Sequence, residues 1–195
     1  MMLAFATPAL LFVFGLMIGS FLNVVIHRWP RGESVVSPGS RCGACGTPIR
    51  WYDNVPVVSY LVLGARCRAC QAPIGVRYVF VELTTGALFA LAAVLLEPGP
   101  LLAVRLLFTA ALVALFAIDL EHQLLPDVIT LPGIVIGLVA AWWLPPGPLS
   151  SAAGAALGAG VLWTIRWAWL RWRGEEGMGL GDVKMLAMVG AVLGW

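Results

Sequence analysis

The sequence predicts an all-α polytopic membrane protein with about six transmembrane helices and a small polar insertion after the first. Three observations carry that prediction. Hydrophobic residues make up 61% of the 195-residue chain and charged residues only 11%, with a mean hydropathy of +0.93. A soluble domain of this length has too little interior to hide so much apolar surface. The apolar residues also fall in continuous runs rather than alternating, which excludes β-barrel strands. Finally, arginine is spread very unevenly among the segments that join the runs. The net charge of +2 says little by itself.

The runs cover 6–26, 78–96, 101–118, 128–144, 151–170 and 182–195. Each complete run is close to the roughly 20 residues a helix needs to cross a bilayer. Pro98, Gly99 and Pro100 break the chain after the second run, and Pro145, Pro146, Gly147 and Pro148 after the fourth. The last run has only fourteen residues. That length implies a mismatched crossing or a chain that stops early.

Orientation follows from the basic residues. With the N-terminus outside, Arg28, Arg31, Arg41, Arg50, Arg66, Arg68, Arg77, Arg171 and Arg173 all fall on the cytoplasmic side. The outer turns then carry no Lys or Arg, and Arg105 near the outer end of the third run is left to snorkel. No basic residue precedes the first run, as one would in a signal peptide. The chain therefore divides into a first transmembrane helix (1–27), a cytoplasmic insertion (28–77) and a transmembrane core (78–195). Trp163, Trp167, Trp169 and Trp172 mark one interfacial belt, and Trp142 and Trp143 the other. Ala and Gly crowd 152–160, which suits a helix packed tightly inside the bundle.

All four cysteines lie in the insertion, as Cys42-x2-Cys45 and Cys67-x2-Cys70, with 21 residues between the pairs. On the cytoplasmic side thiols stay reduced. Two such knuckles offer four thiolates to a structural Zn²⁺ with no open coordination position. A redox dithiol pair is the competing reading. The arginines form no run and have few aromatic neighbours, which argues against nucleic acid and for lipid headgroups as their partner.

Acids inside membrane segments are candidates for function. Glu82 lies a few residues into the second run, where pairing with Arg77 or Lys184, or lining a cavity, would account for it. Asn23, with Gly19 and Ser20, suits helix packing, and substrate contact is the alternative. Asp119 closes the third run and Asp182 opens the sixth, so alternating crossings bring both to the cytoplasmic face. Asp127, after Pro126, reads as a helix start, while Glu121 and His122 read as solvated loop residues. Asp182 follows a charged loop (Arg171, Arg173, Glu175, Glu176) and lies in Gly179-Leu180-Gly181-Asp182-Val183-Lys184. By itself it reads equally well as an acid favoured by a helix dipole. With Asp119 at the same face, a carboxylate pair is the better reading, and the glycines leave room for an extended backbone beside it.

Four blocks now stand in order: GSFLNVVIHR at 19–28, the knuckles with NVPVVSYLVLGARCRAC at 54–70 and GVRYVFVEL at 75–83, IDLEHQLLPDVITLP at 118–132, and GLGDVKM at 179–185. Together they resemble the type IV prepilin peptidases, over most of the chain. The resemblance implies a GxGD-type aspartic endopeptidase of the bacterial inner membrane. Its substrates would be type IV prepilins or type II secretion pseudopilins, cut after a Gly at the cytoplasmic face. Asp119 and Asp182 match the family's two catalytic aspartates. Gly179, Gly181, Lys184, Glu82 and Asn23 are candidates for substrate binding or support. Family members with the cysteine block also N-methylate the new amino terminus with S-adenosylmethionine. Family chains continue past the position of Trp195, which implies that the core (78–195) is C-terminally incomplete. Another GxGD-type membrane protease, presenilin-like or archaeal preflagellin peptidase, is the nearest alternative. A non-enzymatic transporter or scaffold with a zinc domain is the more distant one.

Overall fold

The computed structural model describes residues 2–175 and 177–195, with side chains from residue 6 onward; Glu176 of the charged loop lies outside the described residues. The elements are α1 (Met2–Arg28), α2 (Val58–Val62), α3 (Arg77–Leu95), α4 (Pro100–His122), α5 (Asp127–Ala140), α6 (Pro148–Arg173) and α7 (Leu180–Leu193), with 3₁₀ turns at Trp29–Arg31 and Trp51–Asp53. Among the described residues extended pairing is limited to two isolated bridges, Arg41 with Pro48 and Arg66 with Pro73.

Among the described residues four helical segments are long and apolar enough to cross a membrane: Ala6–Arg31, Arg77–Leu95, Pro100–His122 and Pro148–Arg173. The remaining two runs form the shorter helices α5 and α7, of 14 residues each. At ~1.5 Å per residue each is ~21 Å long, less than the ~30 Å of a hydrocarbon core. The fourth run was expected to stay helical to 144, but α5 ends at Ala140 and a series of turns follows. Pro145 disfavours helix in the residue before it, and Pro146 and Gly147 complete the break.

The third run differs in the other direction. α4 continues through Asp119 to His122, so Glu121 and His122 sit on its last turn rather than in a loop. It stops where Gln123 adopts a left-handed conformation (φ 50°) and donates its N–H to the Asp119 carbonyl at 2.8 Å. Pro126 lies just beyond, as is usual after a helix end.

The chain forms two compact units. One holds the residues up to Pro98 together with Leu112–Ile118; the other holds Gly99–Ala111 and Asp119–Trp195. In the first unit α1 and α3 pack along their length. Gly19 is required at that seam, because a Cβ there would stand 2.7 Å from Glu82 Cα. Between α1 and α3 the insertion is tied down by Arg28. Its buried guanidinium donates to the carbonyls of Ser34, Pro38 and Gly39 at 2.7–3.1 Å.

In the second unit α7 packs on α5 and α6. Gly154 of α6 lies against Gly190 of α7 with no space for a side chain on either. Ser151 donates to the Ala191 carbonyl at 2.5 Å. The expectation that α6 is enclosed by the bundle is not met: Ser151 and Gly154 are its buried residues, and most of the helix is exposed or half-buried. Arg105, expected to snorkel, donates instead to the Val192 carbonyl at 2.8 Å, near the C-terminal end of α7. A cation is favoured at that end of a helix.

Candidate active site and metal centre

The two candidate aspartates belong to the same unit. Asp119 is on the last turn of α4 and exposed; Asp182 is on the first turn of α7 and half-buried. Two contacts fasten the segment after Asp119 to the start of α7. The Leu125 side chain packs on Gly181, where a Cβ would stand 2.8 Å from Leu125 Cβ. Lys184 donates to both carboxylate oxygens of Asp127 at 2.7 and 2.8 Å. Asp127 begins α5 as expected, but its carboxylate serves this ion pair and Pro126 occupies the cap position.

The two glycines, given one shared role from sequence, differ. Gly181 is needed because Leu125 occupies the adjoining space, a contact internal to the protein. At Gly179 the backbone is extended (φ −72°, ψ 153°), and an added Cβ would have only ordinary contacts, with Asp182 Oδ2 at 3.8 Å. Gly181→Ala is therefore expected to lower the melting temperature in detergent by roughly 2–12 °C, the effect of about 1–3 kcal/mol of overpacking. Gly179→Ala should leave it within a degree or so. A scan showing equal loss in both would disprove the distinction.

Asn23 and Glu82 lie in the other unit. Glu82 accepts from the Val57 N–H at 2.8 Å, with the Ser20 side chain beside it. The structure does not bring Asn23 or Glu82 into the unit that holds the aspartates and Lys184.

The four cysteine sulfurs of the insertion lie within 4.8 Å of one another, and Cys42 Sγ is 3.8 Å from Cys70 Sγ. All four are free thiols. A tetrahedral Zn²⁺ with ~2.3 Å bonds would set its sulfurs ~3.8 Å apart, so the donor set fits such an ion. Local hydrogen bonds already favour thiolate. Thr47, through its hydroxyl and amide, draws the Cys45 thiol down to about 6, and the amides of Cys70 and Ala69 lower Cys67. The Ala72 amide pulls Cys70 down as well, but burial and its three thiol neighbours push it up to about 11. Cys45, Cys67 and Cys70 therefore do not ionise independently; a dication held by these thiols would favour thiolate. Nearby, Arg68 holds the Asp53 carboxyl below the usual range through bonds of 2.6–3.2 Å.

The two knuckles are copies of one motif. The Cys42 amide donates to the Thr47 carbonyl and the Ile49 amide to Ser40; 25 residues on, the Cys67 amide donates to Ala72 and the Ile74 amide to Ala65. Each copy turns at a left-handed residue, Gly46 (φ 71°) and Gln71 (φ 59°). The repeat is visible in the sequence as Arg-Cys-x-Ala-Cys-x-x-Pro-Ile, starting at Arg41 and again at Arg66.

Comparison with known proteins gives two family matches, "Bacterial Peptidase A24 N-terminal domain" over residues 13–96 and "Type IV leader peptidase family" over residues 106–195. Proteins described as "Prepilin leader peptidase/N-methyltransferase" are similar over nearly the whole chain. The one from Klebsiella pneumoniae is 43% identical over 98% of this chain and 87% of its own. Those from Aeromonas hydrophila (44%, over 96% and 73%) and Pseudomonas aeruginosa (40%, over 93% and 71%) are similar too. The chain belongs to the type IV leader peptidase family. No solved structure matches it. For this family member, the first match covers the α1–α3 pair with the cysteine insertion, and the second covers both candidate aspartates.

Proposed function

We propose that this chain is a membrane aspartic endopeptidase that removes the leader of type IV prepilins or type II secretion pseudopilins and N-methylates the residue it exposes. The supporting observation is the fastening of the segment after Asp119 to the first turn of α7, which carries Asp182, through Leu125 on Gly181 and Asp127 with Lys184. Two carboxyls sharing a site hold one proton between them because like charges repel. The ionised one takes a proton from water as it attacks, and the other donates to the peptide carbonyl oxygen. Gly181 and Lys184 support this turn and Gly179 leaves open space beside Asp182, while Cys42, Cys45, Cys67 and Cys70 would hold a Zn²⁺ that orders the insertion. S-adenosylmethionine supplies an electrophilic methyl group for the amine.

The proposed setting is the bacterial inner membrane, with the N-terminus out and residues 28–77, Asp119 and Asp182 at the cytoplasmic face. There a basic leader lies in the cytoplasm and the apolar segment behind it in the bilayer, so an interfacial site meets their junction. The proposed division of labour is 1–27 as anchor, 28–77 as metal-binding domain and 78–195 as peptidase core. The test is incubation of the purified protein in detergent with a prepilin and S-adenosylmethionine, read by mass spectrometry. Loss of the leader and gain of one methyl group are expected. An intact precursor under conditions where the protein is folded would refute the reading.

A further inference from the structure

We infer that Asn23 and Glu82 form an acceptor pair for a ligand's aliphatic ammonium group, in a cavity of the first unit that serves methyl transfer rather than peptide cleavage. The inference rests on the methyltransferase half of the proposed function. It begins with placement, because the unit that holds both residues also holds the cysteine knuckles and not the candidate aspartates. A cavity of about 1070 Å³ runs between the knuckles and the α1–α3 seam, lined by Ser20, Asn23, Tyr78 and Glu82 on one side and by Cys42 and Cys67 on the other. That volume is at the upper end of small-molecule sites, which run to roughly 1,000 Å³.

The seam has a fixed register. Gly19 presses on Glu82, and Asn23, one turn on along the same face of α1, donates Nδ2 to the Tyr78 carbonyl at 3.0 Å. Asn23 is only 2% exposed, and its Oδ1 is buried without a hydrogen-bond partner. Such acceptors are rare in folded proteins and call for an explanation. One turn away, Glu82 is 7% exposed. Among the described residues it accepts from the neutral Val57 N–H at 2.8 Å, with the Ser20 hydroxyl beside it, and neither group carries a positive charge. A carboxylate accepts up to about four hydrogen bonds, which leaves sites open.

The segment that reaches Glu82 is also strained. Val57 has φ 61°, a conformation that is a genuine outlier for a β-branched residue. Strain of this kind gathers at ligand clamps and active sites. One orphan amide oxygen and one carboxylate together match a monocation with three N–H donors. Both the methionyl end of S-adenosylmethionine and the new amino terminus of a cleaved substrate carry such a group.

The full chain in detergent micelles is titrated calorimetrically with two probes. One is S-adenosylhomocysteine. The other is a peptide that begins at the residue after the cut, with its amino terminus free or acetylated. Glu82→Gln keeps an acceptor for Val57 but removes the charge; Asn23→Leu keeps the size but removes the acceptor. Each is expected to weaken one probe by about tenfold to hundredfold, the effect of losing a hydrogen bond to a charged group. The probe affected, and for the peptide its loss on acetylation, names the source of the ammonium. Wild-type affinities for both probes in both variants overturn the proposal, leaving Glu82 a clamp on Val57 and a water on Asn23. Cleavage lost with both affinities intact assigns the pair to the peptidase and overturns it too. A wild-type protein that binds neither probe refutes the methyltransferase reading itself, and this inference with it. Hydrogen exchange on the wild type needs no variant: slower exchange at 19–27 and 76–82 on binding is expected, and unchanged exchange there overturns the proposal.

Discussion

Replacing Asp119 or Asp182 with Asn should each reduce leader cleavage by at least ~10³-fold, within the range that positioned acid–base groups contribute. An amide has the shape of a carboxyl, but it cannot take a proton from water or cycle between the two protonation states. The two losses should not add. Once one partner is gone the other has nothing to share its proton with, so the double variant should be about as inactive as either single one. The assay is precursor processing by purified protein, with zinc content measured on the same samples to show that the insertion is intact. Retained cleavage in either single variant sinks the assignment. Loss in the Asp119 variant only would leave Asp182 the part its sequence also allows, an acid at a helix start.

The second large effect concerns the metal. Purified protein should contain one zinc per chain, and Cys42→Ser, Cys45→Ser, Cys67→Ser or Cys70→Ser should each remove it. Changes one shell further out cost metal sites roughly 10–100-fold in affinity, so loss of a ligand should cost more. Sites of this type couple metal binding to folding. Limited proteolysis should therefore cut within 42–70 in the serine variants and after strong chelation, and leave the metal-loaded protein whole. Elemental analysis and the digest pattern check this together. A chain that keeps its zinc through single serine substitutions does not hold it on these thiols.

The broad architecture was legible because membrane helices announce themselves by continuous apolar length. The insertion was legible because two C-x2-C pairs are hard to explain otherwise. Helix ends were less so: α4 outlasts its apolar run because Leu120, Glu121 and His122 still propagate a helix, and hydropathy stops counting at Asp119. Contacts remote in sequence were not legible. Nothing in the composition says that Leu125 needs Gly181 to be small, or that Lys184 will pair with Asp127. Asn23 and Glu82 were grouped with the aspartates because each stands out among apolar neighbours, a signal that carries no information about which unit a residue joins. The duplicated Arg-Cys-x-Ala-Cys-x-x-Pro-Ile motif was in plain view. It shows as self-similarity between 41–49 and 66–74, a signal that ligand spacing alone does not carry.

That duplication has a consequence for assembly. Each knuckle is closed by hydrogen bonds spanning five to nine residues, such as Cys42 to Thr47 and Ala65 to Ile74, so each half can form by local search. What remains is to bring the halves together across the 25-residue offset. That closure costs about 3 kcal/mol on the logarithmic scaling of loop entropy, plus a constant. An ion captured by one preformed half needs only that single closure to complete its coordination. Metal capture can therefore begin while the rest of the chain is still being inserted into the bilayer.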